Sequence, residues 1–298
     1  MRVTARAKLN LGLAVGPRRA DGFHDLATVF QSISLADTLV AERRRSGFTL
    51  RVRAESGGAA RHVPAGDDNL VLRAARGFAA RHGFAGGIAF TLVKRIPAQA
   101  GLGGGSADAA AALLATERLA GLAPSRARRL ALALELGSDV PFAVIGGTRL
   151  GTGRGERLEP LQLERPFRAL VVVPRWRIST SDAFRQIDRK RLALTDWNAN
   201  LRFARLLGRR PVRPERALRL GNRFEDVLGE RREEFLSLRD RLLAAGAIHA
   251  GLSGSGSAVF GIIPRGIPSH VVARRFAGAE PRWLVRSVRA SLRLEILK

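Results

Sequence analysis

The sequence predicts an α+β fold in two domains. Three observations carry that prediction. The chain has 298 residues, a length that suggests about two domains. Strand-like and helix-like segments alternate irregularly, with several strands in succession near the N-terminus. The pattern changes near Glu159, so residues 1–159 and 160–298 read as separate units.

Arg2 to Val15 reads as an apolar strand with Lys8 and Asn10 two residues apart, hence on one face. Arg18 to Gly22 has the composition of a turn. Leu26 to Leu35 and Leu39 to Glu42 read as strands, and Phe48 to Arg53 alternates apolar and basic residues. Asp67 or Asp68 is expected to cap a helix over Asn69 to Arg81, closed by Gly83. Ile88 to Ile96 alternates like a strand. A glycine-rich segment opens a helix over Ser106 to Arg118 that ends near Gly121, and a further helix runs from Pro124 to Gly137. Val144 to Leu150 and Glu156 to Leu158 suggest a hairpin around Gly151 to Gly155. In the second unit, Phe167 to Val173 reads as a buried strand and Ser179 to Ile187 as a short helix. The stretch up to Leu207 has no clear period. Ala217 to Val227 and Glu234 to Ala245 have helical patterns. Ile248 to Ile263 holds two strands around Gly251 to Ser257, followed by a helix over Pro268 to Phe276 and a strand over Trp283 to Val288.

Composition narrows the function classes. With no Cys, disulfides and thiolate metal sites are excluded. No apolar run approaches the roughly 18 residues of a membrane helix, and Leu9 to Val15 lacks the flanks of a signal peptide. A cytoplasmic protein without membrane attachment is expected. The formal charge is +25. Basic residues are spread along the whole chain, and Tyr is absent, which argues against a base-stacking platform and specific nucleic-acid binding. A basic surface also attracts anionic substrates. Only Lys8, Lys94, Lys190 and Lys298 are lysines among 51 basic residues, which hints at positions where a compact ammonium is needed.

The chemistry centres on Pro97-Ala98-Gln99-Ala100-Gly101-Leu102-Gly103-Gly104-Gly105-Ser106-Ala107. Four glycines within five positions, running into an Ala-rich helix, leave backbone N–H groups open at a positive helix end. That is a cradle for phosphate oxygens; a flexible turn capping a helix fits the same residues. A Walker A loop is excluded because no Gly-Lys-Ser/Thr follows. A dinucleotide fingerprint is excluded because Ser106 stands where its last glycine belongs. Phosphoryl transfer also benefits from a carboxylate beside the attacking hydroxyl and from positive charge. Asp139, at a helix end in Leu136-Gly137-Ser138-Asp139-Val140-Pro141, is the candidate carboxylate, although an ordinary turn Asp fits there too. Lys8 is the candidate cation; a strand-edge Lys is the simpler reading of it alone.

The segments Ala7-Lys8-Leu9-Asn10-Leu11, Asp68-Asn69-Leu70, Pro97 to Ala107, Gly137 to Pro141 and Ser253 to Ser257 occur in order along the chain. Together they resemble the GHMP family of small-molecule kinases. Asp21-Gly22-Phe23-His24-Asp25-Leu26, with Phe30 and Asp37, is similar to the branch that acts on a cytidine-diphosphate-linked methylerythritol. The resemblance implies a ribosomal-protein-S5-domain-2-like N-terminal domain for ATP binding and catalysis and a ferredoxin-like C-terminal domain. It implies ATP- and Mg²⁺-dependent phosphorylation of the 2-hydroxyl of that substrate, in the non-mevalonate route to isoprenoid precursors. Lys8 and Asp139 correspond to the catalytic pair. Pro97 to Ala107 corresponds to the ATP segment, with Ser106 near the phosphates, and Asn69 and Lys94 to positions near the adenine. Asn10, Phe23, His24, Thr180 and Phe184 correspond to substrate contacts, with His24 reading the cytosine edge. Phe23 stands where the family usually has Tyr; its ring can still stack. Metal ligands are not assigned. A monomer or weak homodimer is expected. A kinase of another alcohol, such as homoserine or mevalonate, would have no use for the Asp-Gly-Phe-His segment.

Overall fold

The computed structural model describes residues 1–55, 63–191 and 196–296. A first sheet contains β1 (Arg2–Arg18), β2 (His24–Arg44), β3 (Phe48–Ala54), β4 (Gly87–Lys94), β5 (Thr148–Gly153), β6 (Arg157–Pro160) and the late strand β11 (Leu292–Glu295). Its main path is β11-β1-β2-β4-β3; β5 pairs with β2, and β6 with β5. β3 and β4 are parallel and are joined through α1 (Leu70–His82). Helices α2 (Gly104–Ala120), α3 (Arg126–Leu136) and α4 (Val140–Ile145) follow β4. The second sheet has the order β10 (Arg282–Arg286), β7 (Arg168–Val172), β9 (Val259–Ile263), β8 (His249–Leu252), all antiparallel. That is the order fourth, first, third, second of a ferredoxin-like unit. α5 (Thr180–Arg189), α6 (Trp197–Leu207), α7 (Pro214–Leu218) and α8 (Arg232–Ala244) lie between its first two strands, and α9 (Ser269–Arg275) between its last two.

The sheets share a core. Ala7, Leu9 and Leu11 of β1 pack in one cluster with Ala169 and Val171 of β7 and Phe260 of β9. The helices of the first half cover the other end of β1 through Val3 and Ala5, against Ala109 to Leu113 of α2. Small Ala side chains on α2 let it lie close to the strands and helices around it.

Several expectations are corrected. The strands expected at Leu26 to Leu35 and Leu39 to Glu42 are one strand, β2. Asp37, between the two expected strands, sits inside it fully buried. Its carboxylate accepts from Lys94 Nζ (2.5 Å) and from the backbone N–H groups of Arg95 (2.6 Å) and Ile96 (2.9 Å). The cap of α1 is Asn69, not Asp67 or Asp68: its Oδ1 accepts from Val71 N–H at 2.9 Å. Residues 140–145 form a helix, so β5 begins later than the expected Val144. The helix expected over Ala217 to Val227 is broken at Gly221-Asn222 into α7 and a 3-10 turn, Arg223–Val227. The stretch before Leu207 contains α6, with residues 192–195 outside the described set. β11, which had no counterpart in the sequence reading, returns from the second half to pair with β1.

Lys94 also bonds Asp108 Oδ2 at 2.7 Å, so two buried carboxyls share one ammonium. Burial, partly opposed by Lys94, lifts the Asp108 carboxyl to about 8, and its Oδ1 has no hydrogen-bond partner. The folded state therefore holds a proton that the unfolded chain releases near the ordinary carboxylate value. Stability contributed at low pH is lost as pH rises from about 4 to about 8. Urea unfolding against pH is expected to show this decline in the wild type and a flatter curve in Asp108→Asn.

Candidate active site

Lys8 and Asn10 sit on β1 between two register shifts against β2, at Arg6/Lys8 and Asn10/Gly12. Such irregularities re-aim side chains. The Lys8 ammonium is nearly buried and lies 2.5 Å from Asn10 Oδ1, 2.7 Å from the Gly101 carbonyl and 3.7 Å from Asp139 Oδ2. Asn10 Nδ2 donates to Thr28 Oγ1 at 2.8 Å, which fixes the amide's orientation. Burial lowers the Lys8 pKa; Asp139 partly offsets it. Asp139 occupies the capping position of α4 yet makes no side-chain cap bond, so its carboxylate is left for Lys8 and the cavity.

The glycine-rich loop has the geometry a phosphate cradle requires. α2 begins at Gly104, two residues earlier than expected, and no side chain caps it. Its open N–H groups therefore face outward at the positive end of a 17-residue helix. Gly101 is irreplaceable by shape: φ is +75°, and a Cβ would stand 2.0 Å from the Ser253 carbonyl oxygen. Through that contact the loop packs against the second sheet's turn, where Ser253 Oγ donates to the Gly101 carbonyl (3.1 Å) and Ala258 N–H to the Ala100 carbonyl (3.0 Å).

A cavity of about 1050 Å³ runs between the two halves. Lys8, Asn10 and Asp139 line it, as do Gln99, Gly101, Gly103 and Ser106 of the loop. Phe23, His24, Thr180 and Phe184 line the same cavity. His24 stacks on Phe184 with centroids 4.9 Å apart, and Phe184 meets Phe224 edge-on at 5.0 Å. His24 Nε2 is 2.8 Å from Asp188 Oδ1. Phe23 is exposed, with the Arg154 guanidinium 3.8 Å from its ring centroid. Thr180 Oγ1 bonds Ser255 Oγ at 2.8 Å.

The other expected ATP residues are placed differently. Ala100, Leu102 and Ala107 point into the core, so only their backbone borders the loop's outer face. Gly104 and Gly105 belong to the open start of α2, and neither they nor Pro97 and Ala98 line this cavity. Asn69 spends its side chain on capping α1, with Nδ2 donating to the Pro64 carbonyl. Lys94 is withdrawn from any ligand by its two carboxyl partners and its burial. Asp188 and Arg154 were missed. Asp188 follows Phe184 by four residues on α5, a spacing that puts both on one helix face; Arg154 is one of many arginines and nothing in its spacing marks it out.

The family model for the GHMP kinases N-terminal domain matches residues 69–147, and that for the GHMP kinases C-terminal domain matches residues 203–277. The chain is 41% identical over 283 residues to the 4-diphosphocytidyl-2-C-methyl-D-erythritol kinase of Moorella thermoacetica, covering 94% of this chain and 96% of that one. The chain belongs to the GHMP kinase family. This GHMP kinase is also 42% identical to the like-named enzyme of Salinispora arenicola, over 86% of its own length and 81% of the relative's. A crystal structure of 4-(cytidine 5'-diphospho)-2C-methyl-D-erythritol kinase superposes with a TM-score of 0.76 at 36% identity, covering 96% of this GHMP kinase and 99% of that chain. Among the described residues no helix is long and apolar enough to cross a membrane.

Proposed function

We propose that this GHMP kinase transfers the γ-phosphoryl group of ATP to the 2-hydroxyl of 4-diphosphocytidyl-2-C-methyl-D-erythritol. The observation that carries the proposal is one cavity lined by two unlike groups: a Lys8–Asp139 pair beside a glycine-rich helix start, and an aromatic group built around His24. A substrate with a hydroxyl at one end and a cytosine at the other fits that division, and the relatives' names point to the same compound.

Asp139 accepts the proton of the attacking hydroxyl as the new O–P bond forms. The bond from the γ-phosphorus to the bridging oxygen breaks, and ADP leaves. Lys8, 3.7 Å from Asp139 Oδ2, offsets negative charge building on the transferred group. Asn10 orients Lys8. The N–H groups at the start of α2, with the Ser106 hydroxyl, hold the phosphates of ATP. Ser106, which lines the cavity beside the start of α2, would help hold Mg²⁺ bound with ATP, and the ion would supply charge neutralisation at the phosphates. Arg154, between Phe23 and the Ser138-Asp139 turn, supplies positive charge for the diphosphate that joins the substrate's two ends.

A carboxylate only accepts, so His24 Nε2 is the donor in the contact with Asp188, and the reading of the base asks Nδ1 to be an acceptor. An acceptor pairs with the amino group of cytosine and opposes the carbonyl oxygen of uracil. Phe23 and Phe184 offer ring faces for stacking. Inhibition kinetics check this reading. Cytidine 5'-diphosphate is expected to compete with the substrate, and uridine 5'-diphosphate to bind about tenfold or more weakly, the scale of one buried hydrogen bond left unmade. Equal inhibition by both would rule out His24 as the reader of the base.

A further inference from the structure

The turn that breaks the expected helix at Gly221-Asn222 is tied to both groups that line the cavity. Its approach is fixed by Leu13 N–H, which donates to the Gly221 carbonyl at 2.7 Å. Asn222 Nδ2 then donates to two carbonyls of the second glycine-rich turn, Leu252 (2.8 Å) and Gly254 (2.9 Å). Asn222 Oδ1 accepts from Phe224 N–H at 3.0 Å and caps the 3-10 turn. Glu225 adds a bond on the same side, with its Oε1 accepting from Leu252 N–H at 2.9 Å.

Each tether ends on a part of the site. Gly254 has φ +58°, and a Cβ there would lie 3.2 Å from Lys8 Nζ, 3.3 Å from Asn10 Oδ1 and 3.2 Å from the Gly101 carbonyl oxygen. Its backbone therefore packs directly against the Lys8–Asn10 pair and the phosphate loop. Phe224 holds the edge of Phe184, which stacks on His24. One amide thus fixes the wall behind the ammonium with its nitrogen and the support of the base pocket with its oxygen.

We propose that Asn222 is a positioning residue for phosphoryl transfer: its Nδ2 holds Gly254 against Lys8 and Asn10, while its Oδ1 separately holds Phe224 under the Phe184–His24 stack. The inference rests on the reading of this cavity as the active site. The two functions sit on different atoms, so substitution separates them. Asn222→Asp keeps an acceptor for Phe224 N–H, since Asp caps as well as Asn. It replaces the donor with a carboxylate oxygen facing two carbonyls. Asn222→Ala removes both.

Steady-state kinetics with MgATP and 4-diphosphocytidyl-2-C-methyl-D-erythritol test this, with wild type alongside. Wild-type turnover checks the site reading independently of the variants. Asn222→Asp is expected to lower kcat by about 10- to 10²-fold, the scale of a misplacement near 1 Å, with KM for the cytidine compound within about twofold. Asn222→Ala is expected to lower kcat similarly and also to raise that KM. A general structural role would instead shift the unfolding midpoint of both variants with kcat and KM moving together, or with neither moving; either result overturns the proposal. If Asn222→Asp does not fold, Asn222→Ser replaces it, because its hydroxyl can cap the turn but can donate to only one carbonyl. A fall in kcat at unchanged KM supports the proposal, and unchanged kcat overturns it.

Discussion

Replacing Asp139 by Asn is expected to lower kcat by about 10²- to 10⁴-fold, the usual contribution of a positioned general base. The amide keeps the size of the carboxylate and can still accept a hydrogen bond, but it cannot take the hydroxyl proton. Asp139 makes no side-chain cap bond to α4, but its carboxylate is the ion partner of the buried Lys8 ammonium, 3.7 Å away. Asn also removes that ion partner, so the unfolding midpoint is expected to fall modestly, while KM for both substrates should change little. The pH profile carries the other half of the pair. Burial places the Lys8 pKa below the ordinary lysine value. Activity that needs charged Lys8 then falls as pH rises through that lowered value, earlier than an ordinary lysine would allow. A variant with near wild-type turnover would remove Asp139 from the reaction.

Replacing Lys94 by Met is expected to cost about 3–5 kcal/mol of stability, the cost of breaking a buried ion pair by removing one partner. The ammonium is the shared partner of Asp37 and Asp108. Without it Asp37 keeps only its two backbone donors, Arg95 and Ile96, and Asp108 loses its side-chain donor. Met nearly fills the volume, so the loss reports charge and hydrogen bonding more than a cavity. Urea unfolding measures it as a lower midpoint. The same variant separates two assignments for Lys94. A lysine touching adenine would raise KM for ATP when removed; a lysine buried in this cluster leaves KM for ATP unchanged in the molecules that remain folded.

What the sequence could tell follows a physical line. Features set by neighbouring residues were legible. The glycine-rich start of α2 needs only its own backbone, and Lys8 with Asn10 needs only the two-residue period of a strand. Asp139 was legible because Gly137 and Pro141 force a turn around it. Features set by partners far along the chain were not. The continuity of β2 through Asp37 was not legible because that residue's three donors come from residues 94–96, beyond an intervening helix. Lys94 looked free for a ligand for the same reason. Asn69 matched a motif near the nucleotide, yet its side chain serves the helix it begins. His24 stood out only through a resemblance, and the Asp188 carboxylate it meets lies 164 positions away. β11 is four residues long and exists because β1 offers it an edge.

The central claim is the pairing of this phosphoryl-transfer site with a cytidine-bearing alcohol. Coupled ADP release with MgATP tests it most directly, comparing 4-diphosphocytidyl-2-C-methyl-D-erythritol with homoserine and mevalonate. The expected result is ADP release that depends on the cytidine compound alone, with the product phosphorylated at the 2-hydroxyl. ADP release with homoserine or mevalonate but not with the cytidine compound would contradict the claim, and so would turnover with none of the three.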